Sequence, residues 1–226
     1  MLNRYRWYRI QLPRGVTDLA EIITDCPLGP GDTYGFSRAE GSTGTQLHRF
    51  LWRTKVIVTQ FDDAGVPSYQ EVASVNFTDF AIIEIDGETF LRIENPGRNI
   101  RDLLNALESM VGLGFTSRLL TFEKAKPTTV FESVQVFKLI GLKVVGVVVE
   151  EDLVARMEFA SKQGMVVEKM SLLQGLRHKV DSANYELVYE GIRGQLAFSS
   201  SGTVKISGQL APRLVHLIEQ DLAKLF

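Results

Sequence analysis

The sequence predicts an α+β fold of two related halves, 1–125 and 126–226, joined as one continuous domain or standing as two. Each half is expected to be a curved antiparallel sheet with helices packed on one face. Three observations predict this. Two strands around Asp86-Gly87 are followed by an amphipathic segment to Val111. Two strands around Ser200-Ser201-Gly202 are followed by a second amphipathic segment to the C-terminus. When Gly87 is set on Gly202, Leu91 falls on Ile206. A shift of one residue then sets Ile100, Leu103, Leu104 and Val111 on Leu214, Leu217, Ile218 and Leu225. Any hairpin followed by an amphipathic helix gives a similar match, so duplication and coincidence both remain open here.

The elements follow in order. "RYRWYRIQL" (Arg4–Leu12) is rich in aromatic and branched residues and stops at Pro13–Gly15, which reads as a strand. "VTDLAEIITD" reads as a helix capped by Thr17, with Leu19, Ile22 and Ile23 on one face. Cys26–Gln46 holds five glycines and two prolines and reads as a loop. "HRFLWRTKVIVTQF" and "VPSYQEVASVNF" are strands joined by a turn at Asp62–Gly65, and "FAIIEI" and "TFLRIE" form a hairpin on Asp86-Gly87. Asn99 and Asp102 cap a helix whose stripe is Ile100, Leu103, Leu104, Leu107 and Val111, ended by Gly112 or Gly114.

Lys126–Thr129 reads as a short linker. The second half then gives strands at "VFESVQVFKLI", "LKVVGVVVE", "LVARMEFAS", "NYELVYE", "IRGQLAFS" and "TVKIS". A helix is predicted over "MVVEKMSLLQGLRH". A last helix starts near Ala211, where Pro212 suits the first turn, and buries Leu214, Leu217, Ile218, Leu222 and Leu225.

A strand ending in a small-residue and glycine turn, then a strand, then a long helix resembles the TATA-binding-protein family. The matching residues are Leu196–Gly208 and Ala211–Phe226, with a weaker match in "IIEIDGETFLRIENP" and its helix. The resemblance implies a saddle-shaped sheet whose concave face meets DNA or a partner. Strand alternation assigns its outward residues. In the second half these are Arg193, Gln195, Ser199, Thr203, Lys205 and Ser207, a small, polar, mildly basic set. In the first half Phe80, Ile82, Glu84, Phe90, Arg92 and Glu94 are expected outward, with Ala81, Ile83, Ile85, Leu91 and Ile93 under the helix. Two carboxylates there repel a DNA backbone, so a protein partner is favoured over that half. Phe80 and Phe90 match only loosely the apolar wedges of a minor-groove binder.

Composition narrows the function. The chain has 226 residues, 45% hydrophobic and 23% charged, and a formal net charge of −2. Charge is uneven: +3 over residues 1–60, −6 over 61–120 and +1 over the rest. A polyanion site must therefore be local. No apolar run is long enough to span a bilayer, so no membrane contact is expected. The single cysteine, Cys26, excludes an intramolecular disulfide, and a reduced cytoplasmic setting is the default expectation. His48, His178 and His216 lack ligand spacing, so no metal and no cofactor are expected. Asp62-Asp63 and Glu150-Glu151-Asp152 read as charged turns.

"RYRWYR" is the most suggestive stretch. Arg4, Arg6 and Arg9 can bind phosphates while Trp7 and its tyrosine neighbours stack on bases, and Arg49, Arg53 and Lys55 extend the patch if the first strand pairs nearby. The alternative is an edge strand whose charges discourage aggregation. Backbone N–H groups of Gly41–Gln46, with Arg38 and Arg49, could also hold an anion. The leading expectation is a non-catalytic module binding DNA or RNA inside a larger assembly, helped by Arg193 and Lys205. The alternative is a protein-interaction or homo-oligomeric subunit docking through Phe80, Ile82 and Phe90. A third reading, an enzyme around the Cys26–Gln46 loop, requires a pocket there with a histidine and a carboxylate.

Overall fold

The structure is a computed structural model that describes all residues except 17, 42–44, 98–99, 123–127, 151–152 and 226, and leaves aside the side chains of Thr128, Val136 and Glu150. The residues Thr17 and Asn99, the centre of the Gly41–Gln46 loop, Lys126 and Pro127 of the linker with the 125/126 boundary, and Glu151-Asp152 lie outside the described residues, and the cap of α1 is Asp18, whose side chain accepts from Glu21 N–H at 3.0 Å, in place of the expected Thr17.

One antiparallel sheet of eleven strands carries the molecule. In the first part β1 (Leu2–Gln11) is followed by α1 (Leu19–Thr24), β2 (Tyr34–Ala39), β3 (Leu47–Phe61), β4 (Pro67–Ile85), β5 (Glu88–Glu94) and α2 (Ile100–Val111). β6 (Thr116–Leu119) ends the first part, and in the second α3 (Thr128–Ser133) is followed by β7 (Val136–Glu150), β8 (Leu153–Ala160), β9 (Lys179–Tyr189), β10 (Ile192–Ser199), β11 (Val204–Ser207), α4 (Ala211–Glu219) and α5 (Leu222–Leu225). Across the sheet the order is β2-β3-β4-β5-β1-β11-β10-β9-β7-β8, with β6 beside the end of β1. β1 is thus a central strand, not an edge.

Its sequence shows why. Tyr5 and Trp7 are buried in the core closed by α4, whereas Tyr8 and Ile10 are buried in the core closed by α2. A strand apolar on both faces belongs in the middle of a sheet covered on both sides. The helices therefore do not share one face: α1 and α2 lie on one side, and α3, α4 and α5 on the other. Within each part the helices share one face, and the two parts use opposite faces of the common sheet.

The hairpin turns explain which residues went where. Asp86 and Gly87 both have positive φ, 52° and 78°, as a type I′ turn requires. This two-residue turn pairs Ile85 with Glu88 and hence Phe80 with Ile93 and Ile83 with Phe90. Opposite parities therefore share a face. Phe80 joins Leu91 and Ile93 under α2, while Phe90 joins the other core. The expected exposure of Phe80 and Phe90 is thus overturned, and Ile82 is half-buried in the α2 core. The turn after Ser199 holds three residues, so equal parities pair: Leu196 with Ile206 and Phe198 with Val204. There the expected alternation is met. Gly202 is required in this turn, since a Cβ on it would meet the Leu120 carbonyl oxygen at 1.9 Å.

Three segments differ from the sequence reading. The glycine-rich stretch contains the edge strand β2, whose Gly35 lies against the backbone of Leu28 so closely that no Cβ fits. The helix expected over Met165–His178 is two short 3₁₀ turns, Val167–Lys169 and Ser171–Leu173. Residues 128–133 form α3, which replaces the start of the strand predicted over Val130–Ile140, and β7 begins only at Val136.

A buried polar cluster fastens α4 to the sheet. Glu219 accepts from Arg92 Nη1 at 2.6 Å and from Trp7 Nε1 at 3.2 Å. Arg92 Nη2 lies 3.2 Å from Glu94. Removing one member leaves an uncompensated buried charge. Glu219→Ala is expected to cost about 3–5 kcal/mol in denaturant unfolding, while Arg92→Met/Glu219→Leu restores most of it; equal losses in both variants would refute the pairing.

Candidate nucleic-acid interface and a projecting arm

The two-sided packing leaves one broad part of the sheet open. On β11, β10, β9 and β7 the residues Val204, Ile206, Leu196, Phe198, Tyr185 and Leu142 are buried beneath the C-terminal helices. Their neighbours, on the opposite face, stay partly or fully exposed: Lys205, Ala197, Ser199, Asn184, Ser182 and Lys143. Arg4 and Arg6 of β1 share this open face. Arg4 sits directly opposite Lys205. Arg6 Nε donates to Thr203 Oγ1 at 2.8 Å. Lys143 lies 3.4 Å from Asp181. A shallow cavity of about 360 Å³ runs along this face between Lys143, Asn184, Ser199 and Lys205.

The other candidate residues are elsewhere. Trp7 is fully buried and tied to Glu219, so it offers no ring to a base. Arg9 points to the opposite face and pairs with Glu88. Arg49 makes a two-bond contact with Asp79 at 2.7 and 2.9 Å and lies 4.2 Å over the Phe77 ring. Asp79 also raises its pKa. Arg53 donates to the carbonyls of Asp32 and Gly29, and Lys55 pairs with Glu71 at 2.5 Å. These three sit on β3, three strands from β1, and do not extend its patch. Arg193 is on the open face but is engaged by Glu186 at 2.7 Å. Of the predicted set, the structure brings together Arg4, Arg6 and Lys205, with Arg193 at the margin. Sequence reading missed Lys143, which reaches this face only after a bulge between Leu139 and Gly141 shifts β7 against β9.

The enzymatic reading needs a pocket near the glycine-rich loop. A cavity of about 220 Å³ holds His48, Asp18 and Glu84. His48 is buried against Phe80, ring centroids 5.5 Å apart, and no hydrogen bond joins it to another described side chain. Burial lowers its pKa, and Arg38 adds to this against the pull of Asp18. Cys26 does not line the cavity. His48 is a buried ring tilted against Phe80, with no hydrogen-bonded nucleophile among the described residues.

The second open region is an arm. β3 pairs with β2 only as far as Trp52, and β4 with β5 only from Asp79. Arg53–Phe61 and Pro67–Val75 pair with each other alone among the described strands, and Asn76–Thr78 at the base pair only with β3. This two-stranded ribbon reaches about 30 Å beyond its neighbours. Its turn is as predicted, with Gly65 N–H donating to Asp62 O at 2.9 Å. Yet Ile57, Phe61, Tyr69, Val75 and Phe77 on it are all exposed.

Comparison with protein-family models and with curated proteins finds no match. Among the described residues no three metal-ligating side chains cluster, and no helix is long and apolar enough to cross a membrane.

The His48 environment gives a pH prediction. Its folded pKa is depressed, so the unfolded chain takes up a proton first as pH falls. Stability is therefore expected to decline below about pH 6.5, and His48→Gln to flatten that decline in denaturant titrations across pH; an unchanged slope would assign the decline to another group.

Proposed function

We propose that the chain is a non-catalytic binding subunit whose open sheet face takes a nucleic-acid backbone. The observation that carries this is the Arg4–Lys205 pair. Two like charges directly opposite on neighbouring strands destabilise a sheet. No described carboxylate forms an ion pair with either, and both are exposed. They do nothing for the fold that neutral residues would not do better. An anion laid across β1 and β11 would relieve them.

The rest of the face fits a phosphodiester chain. Arg6 lies beside the pair on β1, Lys143 lies farther across the same face on β7, and Ser182, Ser199 and Thr203 supply hydroxyls, the partners that phosphate oxygens commonly meet. Exposed aromatic rings do not join them, because Tyr5, Trp7 and Tyr8 are all buried. Recognition is therefore of backbone, with little sequence preference, rather than by base stacking. The TATA-binding-protein-like reading is supported only on β9–β11 and α4, where one face is open and the other covered. Both parts run from a helix through several strands to a helix, which supports a duplicated unit, although only the first opens on a strand.

Binding of DNA and RNA oligonucleotides is expected to weaken steeply with salt. Arg4→Ala/Lys205→Ala is expected to reduce the slope of log affinity against log salt by roughly 2 and to lower affinity at least tenfold, whereas Lys55→Ala leaves both unchanged. Salt-indifferent binding, or a double variant indistinguishable from the parent chain, would overturn the proposal.

A further inference from the structure

We infer that the β3–β4 arm pairs with the arm of a second copy of this chain, β4 against β4, antiparallel about Ala73. The argument begins with the backbone. The two-residue turn at Asp86-Gly87 makes Ile85 and Glu88 a hydrogen-bonded pair, so the odd-numbered residues of β4 from Asp79 to Ile85 turn their N–H and C=O groups toward β5. The bond from Asp62 N–H to Val66 O at the other end of the ribbon sets the same phase. The outward row therefore continues through Phe77, Val75, Ala73, Glu71 and Tyr69, where no described strand meets it.

Such an edge is normally guarded by lysine, proline or a bulge. The β3 edge of the arm is guarded by Arg53 and Lys55. The β4 edge has Pro67 at its start, whose missing N–H falls in the outward row, and then a run from Ser68 to Thr78 with a single charge, Glu71. An isolated two-stranded ribbon is at best marginally stable in water. This one adds exposed apolar groups, Tyr69 at 71% and Phe77 at 56% accessibility among them.

A second copy fits for three reasons. Pro67 and the start of β5 pairing at Asp79 bound the free edge, and the midpoint of Ser68–Thr78 is Ala73. Pairing about it sets odd residues against odd, as the outward row requires. In that register Tyr69 of each copy lies opposite Phe77 of the other, an aromatic cross-strand pair made twice. Glu71 falls opposite Val75, so the one charge meets no like charge. The even-numbered face of the ribbon, with Val56, Val58, Val72, Gln70 and Ser74, has no charged residue. It gives a nucleic acid nothing to bind and a second uncharged face nothing to repel.

The test is sedimentation or light scattering of the full chain. The expected mass is twice 25.3 kDa, falling to the single-chain value on dilution. Ala73→Pro removes only an outward N–H and is expected to yield a monomer with unchanged circular dichroism. Val75→Lys, an edge charge that leaves the backbone bonds to β3 intact, is expected to do the same if the proline variant does not fold. In a Cys26→Ser background, Ala73→Cys is expected to form a disulfide-linked dimer on oxidation, since paired antiparallel Cα atoms about 5.5 Å apart are within disulfide reach, while Thr59→Cys on the guarded edge does not. A parent chain that stays monomeric at every concentration, or a dimer that survives both edge variants, would overturn the inference.

Discussion

The molecule depends on burying Arg92 and Glu219. They are 127 residues apart, one on β5 and one on α4, and their side chains meet at 2.6 Å. Taking both charges out of water is costly, and their attraction offsets this only with good geometry and further hydrogen bonds. Trp7 supplies one such bond to Glu219, and Glu94 lies against Arg92. The surroundings register the cost. Burial raises the pKa of Glu94 despite Arg92, and burial raises that of Tyr5. The gain is positional. A helix that could slide along an apolar surface is held at one point on β1 and β5.

That point decides which parts of the sheet remain open. With α4 under the β1–β5 seam, its stripe of Leu214 and Ile218, joined by Leu222 of α5, closes the same face of β11, β10 and β9. Asp221, just past α4, accepts from Thr129 N–H and Oγ1 at 2.8 Å each and so brings α3 against the same side. Burial alone would raise the Asp221 pKa, but the Thr129 bonds and Lys224 bring it below the ordinary value. Every helix of the C-terminal part is thereby committed to one face, and the face bearing Arg4, Lys205 and Lys143 is left open. The open surface is a consequence of the core.

How much of this was legible follows from parity. The chain's hairpins could be read, because Asp62–Gly65 and Asp86-Gly87 are turn chemistry, and the stripes of α2 and α4 could be read from helical spacing. The outward face of β10 and β11 was also legible, since a three-residue turn keeps equal parities together. The first-half face was assigned wrongly because a two-residue turn exchanges them, a fact present in the sequence as the spacing from Ile85 to Glu88. Trp7 was assigned to a site because "RYRWYR" alternates charge and aromatic, the pattern of both a stacking platform and a central strand with arginines on one face. Only β1's neighbours, β5 on one side and β11 and β6 on the other, settle which. The edge strand β2 was hidden by glycines whose role is close backbone approach. The arm was hidden for the opposite reason: "VIV" and "VASV" read as buried strand, and nothing local says that no layer covers them.

The arm and the basic face are separated by the width of β5 and β1, so neither obstructs the other. Pairing two β4 strands antiparallel places residues that face each other on the same side of the joined sheet. The even-numbered face of β4 is the face on which Arg4 and Arg6 project, through the pairing of Phe80 with Ile93 and of Ile93 with Arg6. A dimer built on Ala73 therefore turns both Arg4–Lys205 pairs to one side, with the α1–α2 layers between them. A single face with a few free cations holds a phosphate backbone weakly. Two such faces on one rigid sheet convert the second contact into an intramolecular one, and avidity rises without any new residue at either site. On this reading a sequence with a net charge of only −2 and a small local basic patch needs no larger patch to hold an extended polyanion; it needs a second copy.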